Sequence, residues 1–474
     1  MPAMSFRIRQ SITGAVMAGG RESIPAASAG TLNGGLIRLT SLTPLEWLIC
    51  GVACLGFLFD AYEFTVWSVA ARPALATFGL EPGTAEFNRW VGLQFYLPFA
   101  AGGIFGLLGG YLTDWFGRRR VLVWSILLYG VSAAGAAVAP SIGALLFWRC
   151  LAIVGACVEF VTAVAWLAEL FPQPRRREAV LGYTQAFAGL AGFLIAAVYY
   201  IAVTYAGQLP LIAGGHDAWR YTLLLGLLPA IPLAVIRPFL PESPAWQLRA
   251  RQSTSMRPRL TALFQPRLRR TTLVATLLTA CSYAVAVGVI QQVPRVVPGI
   301  PEVRQLGAIG LEQTISGVHL FTASGNLLGR LLFALLVTYI VSQRRLLRIF
   351  LLPAFAITPA VYALAPHSSL AFLQLGELAA MTLMAAQLSF WGNYLPRLYP
   401  THLRATGESF ATNVGGRLIG TSVALVTTRL AGPLPGIPPV QLAYAMACVA
   451  AFIYAIAIAT TRLLQEPAHA QLPD

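Results

Sequence analysis

Seven ionisable residues stand inside long apolar stretches of this 474-residue chain: Asp60, Glu63, Arg149, Glu159, Arg330, Glu377 and Arg417. A charge carried to the centre of a bilayer costs about 2.5–3.5 kcal/mol on insertion scales, so a residue of this kind marks an ion or substrate pathway by default. Asp60 and Glu63 are three residues apart and share a helix face. The chemistry open to them is a proton switch: a carboxylate paired with an arginine stays ionised, and once protonated it releases the arginine. The plainer alternative is a static ion pair that joins two helices. Glu159 is open to both readings, as a second proton station or as a partner for a nearby Arg.

Other chemistries find no support. All 33 basic residues are Arg. Without Lys there is no Walker A loop and no Schiff base. HExxH and GxSxG are missing. The six Cys (50, 54, 150, 157, 281 and 448) lie in apolar runs with no CxxC pair, which indicates neither zinc nor a disulfide framework. His319 and His402 lack metal-ligand spacing. No enzyme, metal or cofactor is expected.

The elements that must position these charges follow from composition. Hydrophobic residues make up 57% of the chain and charged residues 11%, against about 25% charged in a soluble domain. A bilayer-crossing helix needs about 20 mostly apolar residues, and such runs recur. They predict an all-α, polytopic membrane protein with twelve helices near 46–71, 90–112, 119–138, 142–170, 179–205, 219–240, 271–294, 316–341, 346–365, 369–395, 405–428 and 439–462. At roughly 1.5 Å per residue, Asp60 lies about 21 Å into the first helix, and Arg149 about 10 Å from the opposite end of the antiparallel fourth. In a core about 30 Å thick these depths match, which predicts that Asp60 faces Arg149. Glu159 falls about 25 Å along helix four, in its inner third.

The formal charge of +15 invites nucleic acid as a partner, but the Arg residues sit in short clusters between apolar runs. They are distributed by side. With the N-terminus inside, the inward connections carry nineteen Arg and the outward ones six. By the positive-inside rule both termini are cytoplasmic. The organisation predicted is a cytoplasmic tail over 1–44, a six-helix bundle over 45–240, a linker over 241–270, a second six-helix bundle over 271–463 and a tail over 464–474. The halves echo each other. Phe171-Pro172 precedes Arg176 by the same spacing that separates Tyr399-Pro400 from Arg404, and the Gly109–Arg120 stretch has a decayed copy at 333–345, where Thr338 replaces Asp114 and Val341 replaces Gly117. Such repeats are the plan of secondary transporters, with the substrate bound between the halves.

Four stretches carry a family resemblance. Gly109-Gly110-Tyr-Leu-Thr-Asp114-Trp-Phe-Gly117-Arg118-Arg119-Arg120 resembles the loop between helices two and three of the major facilitator superfamily. Arg149 with Gly155, Pro241-Glu242-Ser243-Pro244 after helix six, and Leu398-Tyr399-Pro400-Thr401 with Leu403–Gly407 after helix ten agree with it in order and side. Asp60-Ala61-Tyr62-Glu63 resembles the acid-x-aromatic-acid motif of proton-coupled aromatic-acid and phosphate symporters. Glu63 aligns with the helix-one acid of sugar porters, but Gln291-Gln292 closes helix seven rather than standing where sugar porters place their Gln pair.

The resemblance implies alternating access, with proton-coupled symport of a small organic acid or similar polar metabolite as the first reading. A sugar:proton symporter or a drug or metabolite efflux antiporter is the alternative within transport, and a membrane sensor on a transporter scaffold is the alternative outside it. It further implies proton coupling through Asp60, Glu63, Arg149 and Glu159, and gating through Gly109, Asp114, Gly117, Arg118, Glu169, Arg176 and Arg404, a clasp across the inner ends of the halves. Tyr96, Tyr183, Gln185, Trp391 and Asn393 are the expected substrate contacts, since aromatic and amide groups suit a small polar ring-shaped ligand. Expected partners are protons, a small-molecule substrate and the lipid bilayer, with no nucleic acid, for a monomer in a bacterial inner membrane. Gly102, Gly103, Gly106, Gly109 and Gly110 are expected to form a small-residue packing face.

Overall fold

The first helix starts where the sequence supplies a cap. Thr43 accepts from the Glu46 N–H while the Glu46 carboxylate accepts from the Thr43 N–H, and Pro44 occupies the first helical position. In this computed structural model, which describes residues 42–251, 260–400 and 403–466, helix α1 then runs over Pro44–Thr65 and continues past a break at Val66 into a short helix, Trp67–Thr77. There follow α2 (Ala85–Phe116), α3 (Arg118–Ala137), α4 (Ile142–Leu170), α5 (Val180–Gln208) and α6 (Ala218–Phe239). The second half holds α7 (Pro266–Arg295), α8 (Ala308–Tyr339), α9 (Gln343–His367), α10 (Leu370–Tyr394), α11 (404–431) and α12 (Pro438–Leu463).

Eleven of these are long and apolar enough to cross a membrane. The twelfth, α11, is a relay: α-helix over Arg404–Phe410, π-helix over Ala411–Ile419, a 3₁₀ turn over Gly420–Ser422 and α-helix again over Val423–Ala431. Its apolar run predicts a plain helix. Gly415, Gly416 and Gly420 alter that, because a Cβ on any of them would lie within 2.7 Å of Thr276, Tyr283 or Ala280 on α7. A helix pressed that close to its neighbour can adjust its winding to keep the contact, and π segments of this kind cluster at functional sites. The expected start of α8 moves from 316 to Ala308 and that of α7 from 271 to Pro266, because polar first turns belong to helices but fall outside an apolar window. The tail over 1–44 lies almost wholly outside the described residues, as do 252–259 of the linker and 467–474.

The glycine face of α2 is two faces. Gly102 and Gly109 abut Ile153, Cys157 and Val158 of α4, whereas Gly103 and Gly106 abut Asn413 and Arg417 of α11. Thus α2 packs within its own half on one side and against the other half on the next.

Acids placed after the sixth helix of each half cap a helix start at the Arg-rich end. Glu242 accepts from the N–H groups of Arg118 and Arg119 at the start of α3. Glu466, 224 residues on, accepts from the N–H groups of Gln343 and Arg344 and from the Ser342 hydroxyl at the start of α9. Each carboxylate satisfies helix N-terminal donors that have no partner within the helix. Hydrogen bonding extends the internal repeat beyond what the decayed motif shows.

The halves meet at the opposite end through five polar links. Glu312 of α8 takes an ion pair from Arg72 and a hydrogen bond from the Tyr199 hydroxyl of α5 at 2.5 Å. Gln313 donates to Thr204 at 3.0 Å, Ser316 to the Ala196 carbonyl at 2.6 Å, and Arg295 to Asn88 at 2.8 Å. This end is closed.

Candidate functional site

Helix α1 carries its two acids into the junction of α3, α4, α6 and α11. Asp60 and Glu63 are 1% and 5% exposed. Both Asp60 carboxyl oxygens lack a hydrogen-bond partner among the described residues, as does Oε1 of Glu63. Their charged surroundings differ. The charges acting on Asp60 are those of Glu159, Arg237, Arg417 and Glu63, whereas the charge acting on Glu63 is that of Arg149, with no hydrogen bond to Glu63 Oε1 or Arg149 Nε among the described residues. Arg149 lies with its guanidinium 4.1 Å from the centre of the Trp67 ring, a cation–π contact, rather than beside Asp60. Depth alone does not choose between the two acids, because it ignores azimuth. Asp60 and Glu63 are three positions apart, so about 60° separates them around α1, and the break at Val66 delivers Trp67 beneath the guanidinium.

Glycine makes room for Glu63 and for Glu159. A Cβ on Gly226 of α6 would fall 2.1 Å from Glu63 Oε1, and one on Gly56 of α1 would fall 2.7 Å from both Glu159 Oε1 and Arg237 Nη2.

Glu159 and Arg237 form a fully buried ion pair at 2.5 Å, 0% and 2% exposed. Arg237 also donates to the Leu122 carbonyl at 3.0 Å. Sequence reading counted Arg237 among the arginines of the inward connection. The structure winds 237–239 into a last 3₁₀ turn of α6 and turns the guanidinium into the bundle. A Pro at 238 hid this, because it reads as a helix end. Arg220 and Arg295 are likewise buried rather than loop residues. Arg220 donates to the Ala137 carbonyl and Asp217, and Arg295 to Gln292.

Arg417 is the charge contributed by the opposite half. The π-helical segment of α11 holds it 4% exposed, donating to Asn413 at 2.7 Å and lying 5.3 Å from the Phe64 ring of α1. Among the described residues no carboxylate stands within ion-pair distance of it. Arg330 donates to Asn326, one turn away on α8. Glu377, 0% exposed, accepts from Tyr362 at 2.6 Å and Thr322 at 3.4 Å inside the second half.

The five expected substrate contacts have separate settings. Trp391, 4% exposed, donates to Ser282 of α7 at 2.8 Å and packs on Phe390 and Tyr394. Tyr183 is 43% exposed, and Tyr96, Gln185 and Asn393 are half-buried, Asn393 with an unpartnered Oδ1.

At the Arg-rich end, Gly117 takes φ = +90° and lies against Glu242, a place for Gly alone. Arg118, 3% exposed, pairs with Glu169 at 2.9 Å and donates to the Thr113 carbonyl. Glu169 accepts from the Ser243 hydroxyl, and Arg176 pairs with Glu46 at 2.9 Å. These contacts tie α2, α3, α4 and the segment after α6 within the first half. The side chains of Asp114 and Arg404 lie outside the described residues.

A family model described as Major Facilitator Superfamily matches residues 52–425. The chain belongs to the major facilitator superfamily. It is 27% identical over 400 residues to a probable 4-methylmuconolactone transporter of Cupriavidus pinatubonensis, covering 82% of this chain and 86% of the relative. It is 25% identical to a putative niacin/nicotinamide transporter of Bacillus subtilis, over 81% and 88% of the two chains. The D-xylose-proton symporter crystal structure shares the fold, with a TM-score of 0.68 at 18% identity, covering 89% of this chain and 98% of that one.

As a member of the major facilitator superfamily, the chain is a multi-pass membrane transporter and not an enzyme. Two six-helix halves, one contributing Asp60, Glu63, Arg149, Glu159 and Arg237 and the other Arg417, are the superfamily's architecture for moving a metabolite or sugar between them. The charges that sequence reading missed here, Arg237 and the cross-half position of Arg417, had one legible signal: each is an Arg within a few residues of an apolar run.

Proposed function

We propose that this transporter is a proton-coupled symporter of a small organic acid. The observation that supports this reading best is the buried junction in which the helix-one acids, with both oxygens of Asp60 and Oε1 of Glu63 lacking a hydrogen-bond partner among the described residues, meet arginines from both halves. Arg417 reaches Phe64 across the interface without a carboxylate of its own. A buried guanidinium is a ready partner for a carboxylate, by paired N–H donors. An anionic substrate seated there would bring Arg417 its counter-charge and draw the halves together. A proton on Glu63 would free Arg149, and one on Asp60 would remove the cost of an unpaired carboxylate. Relatives named for 4-methylmuconolactone and niacin support small ring-bearing molecules as the class. The sugar reading is weakened because Gln292 is occupied within the closed end, donating to the Val287 carbonyl and accepting from Arg295.

The Arg-rich end is cytoplasmic in this reading, supported by the nineteen-to-six Arg asymmetry. Both termini are then inside, in a bacterial inner membrane, and the protein works as a monomer. The five polar links then lie at the outer face and hold the halves together there. Asp114 with Arg118, and Arg404, would tighten the inner ends when the outside opens.

The test is uptake of labelled aromatic and lactone carboxylates, pentoses and hexoses into proteoliposomes with an imposed pH gradient. Accumulation of a carboxylate that a protonophore abolishes is the expected result. Protonophore-insensitive uptake, or accumulation of sugars alone, would overturn the reading.

The glycine beside Glu63 offers a second check. Gly226→Ala puts a methyl within 2.1 Å of Glu63 Oε1, so the carboxyl must move from its present place. Driven uptake should fall about tenfold or more, the scale on which small misplacements act in a preorganised site. The flexible Glu end can yield, so the protein should still elute as a folded species. A folded Gly226→Ala protein that accumulates substrate normally would mean that the Glu63 position does not matter.

A further inference from the structure

At the Arg-rich end of α9 a cavity of about 390 Å³ is lined by Ser342, Arg344, Arg345, Arg348, Ile349 and Leu352 of this segment and by Glu466. The one acid is already engaged. Glu466 accepts from Ser342 at 2.7 Å and from the N–H groups of Gln343 and Arg344 at 2.9 Å each. Against the cost of burial, these bonds and the Arg344 charge hold its carboxyl below the usual carboxylate range. Arg344 donates to the Leu464 carbonyl and Arg348 through Nε to Thr461. A guanidinium has five N–H donors, so most of the donors of these arginines stay available.

The equivalent place in the first half is filled differently. There Glu242 caps α3 as Glu466 caps α9, but Arg118 is buried against Glu169. In the second half the acid of the motif is replaced by Thr338, and the arginines of α9 form no ion pair with a carboxylate among the described residues. The cavity also has an apolar exit. Ile349, Leu352 and Phe355 are 38%, 53% and 42% exposed and follow one another at helical spacing up α9, away from the arginines and toward the bilayer interior. A cationic cradle at the foot of a bare apolar stripe matches an amphiphile with an anionic head, whereas a free anion would gain nothing from the stripe.

We propose that this cavity is a headgroup site for an anionic phospholipid, with the phosphate between Arg345 and Arg348 and an acyl chain lying along Ile349 and Leu352. Nothing in the transport reading depends on it. Basic pockets between membrane helices at the headgroup level are suited to such lipids, each arginine adding attraction.

The full chain, purified in detergent, would be titrated with phosphatidylglycerol and with phosphatidylcholine and the bound lipid counted by native mass spectrometry. Phosphatidylglycerol should be retained over phosphatidylcholine, and Arg345→Ala/Arg348→Ala should weaken its retention about thirtyfold. Arg345→Lys/Arg348→Lys, which keeps the charge, should hold most of it and guards against a folding defect. Equal retention by parent and alanine variant would overturn the proposal. So would displacement of the lipid by millimolar inorganic phosphate, which would mark a small-anion site instead. Uptake by the alanine variant should keep the parent's substrate preference, which separates this site from the transport junction.

Discussion

Glu63→Gln is expected to leave a transporter that exchanges substrate across the membrane but cannot concentrate it. The neutral amide stands in for the protonated acid, so the loaded carrier can still reorient while proton binding no longer governs its return. At 100 mV one charge carries about 2.3 kcal/mol, so roughly fiftyfold of accumulation is at stake before any pH gradient is added. Asp60→Asn should also abolish driven uptake, with a different signature. Asp60 feels the charges of Glu159, Arg237 and the cross-half Arg417, so removing its charge should lower the KM for an anionic substrate as well as uncouple. Arg149→Ala should be worse than either, since it strips Glu63 of its cation and Trp67 of its cap. Counterflow and pH-driven uptake measured on the same proteoliposomes decide the matter. If both neutral variants still accumulate substrate with the parent's pH dependence, coupling does not run through helix one.

The second large effect is on stability. Arg237→Met should lower the unfolding midpoint in detergent far more than a surface substitution. Removing one member of a buried pair leaves the other charge uncompensated, at a cost of about 3–5 kcal/mol. Glu159→Gln should cost less, because Arg237 keeps the Leu122 carbonyl. The combination of Glu159→Leu with Arg237→Met should recover much of the loss, since a well-packed apolar pair is often as stable as a buried ionic one. The double variant then separates structure from mechanism. If it folds and accumulates substrate, the pair is a brace between α4 and α6. If it folds and does not, Glu159 takes part in coupling. A single Arg237→Met that unfolds like the parent would show that the pair is not worth what its burial implies.

Much of this protein was legible in its sequence, for physical reasons. A bilayer demands about 20 apolar residues for each crossing, so the twelve spans announce themselves. Charges inside those runs are costly, so Asp60, Glu63, Arg149, Glu159 and Arg417 stand out from the string alone. The Gly117 turn and the Pro241-Glu242-Ser243-Pro244 stretch after helix six are local, and local signals survive in a sequence.

What the sequence could not determine is which charge meets which. Axial depth can be counted from helix starts, but rotation about each axis cannot. Asp60 and Arg149 therefore matched on depth, while in three dimensions Arg149 lies over Trp67 and Glu63 is the acid that feels its charge. Arg237 looked like a loop residue because Pro238 punctuates the string, yet the turn that holds it folds inward onto Glu159. The π-helical winding of α11 arises from glycines pressed against α7, a contact between segments more than a hundred residues apart. That contact carries Arg417 to the face of the first half. Helices, their order and the placement of charge along each were set by local chemistry; the pairing of those charges across helices was decided by packing, which is a property of the tertiary structure alone.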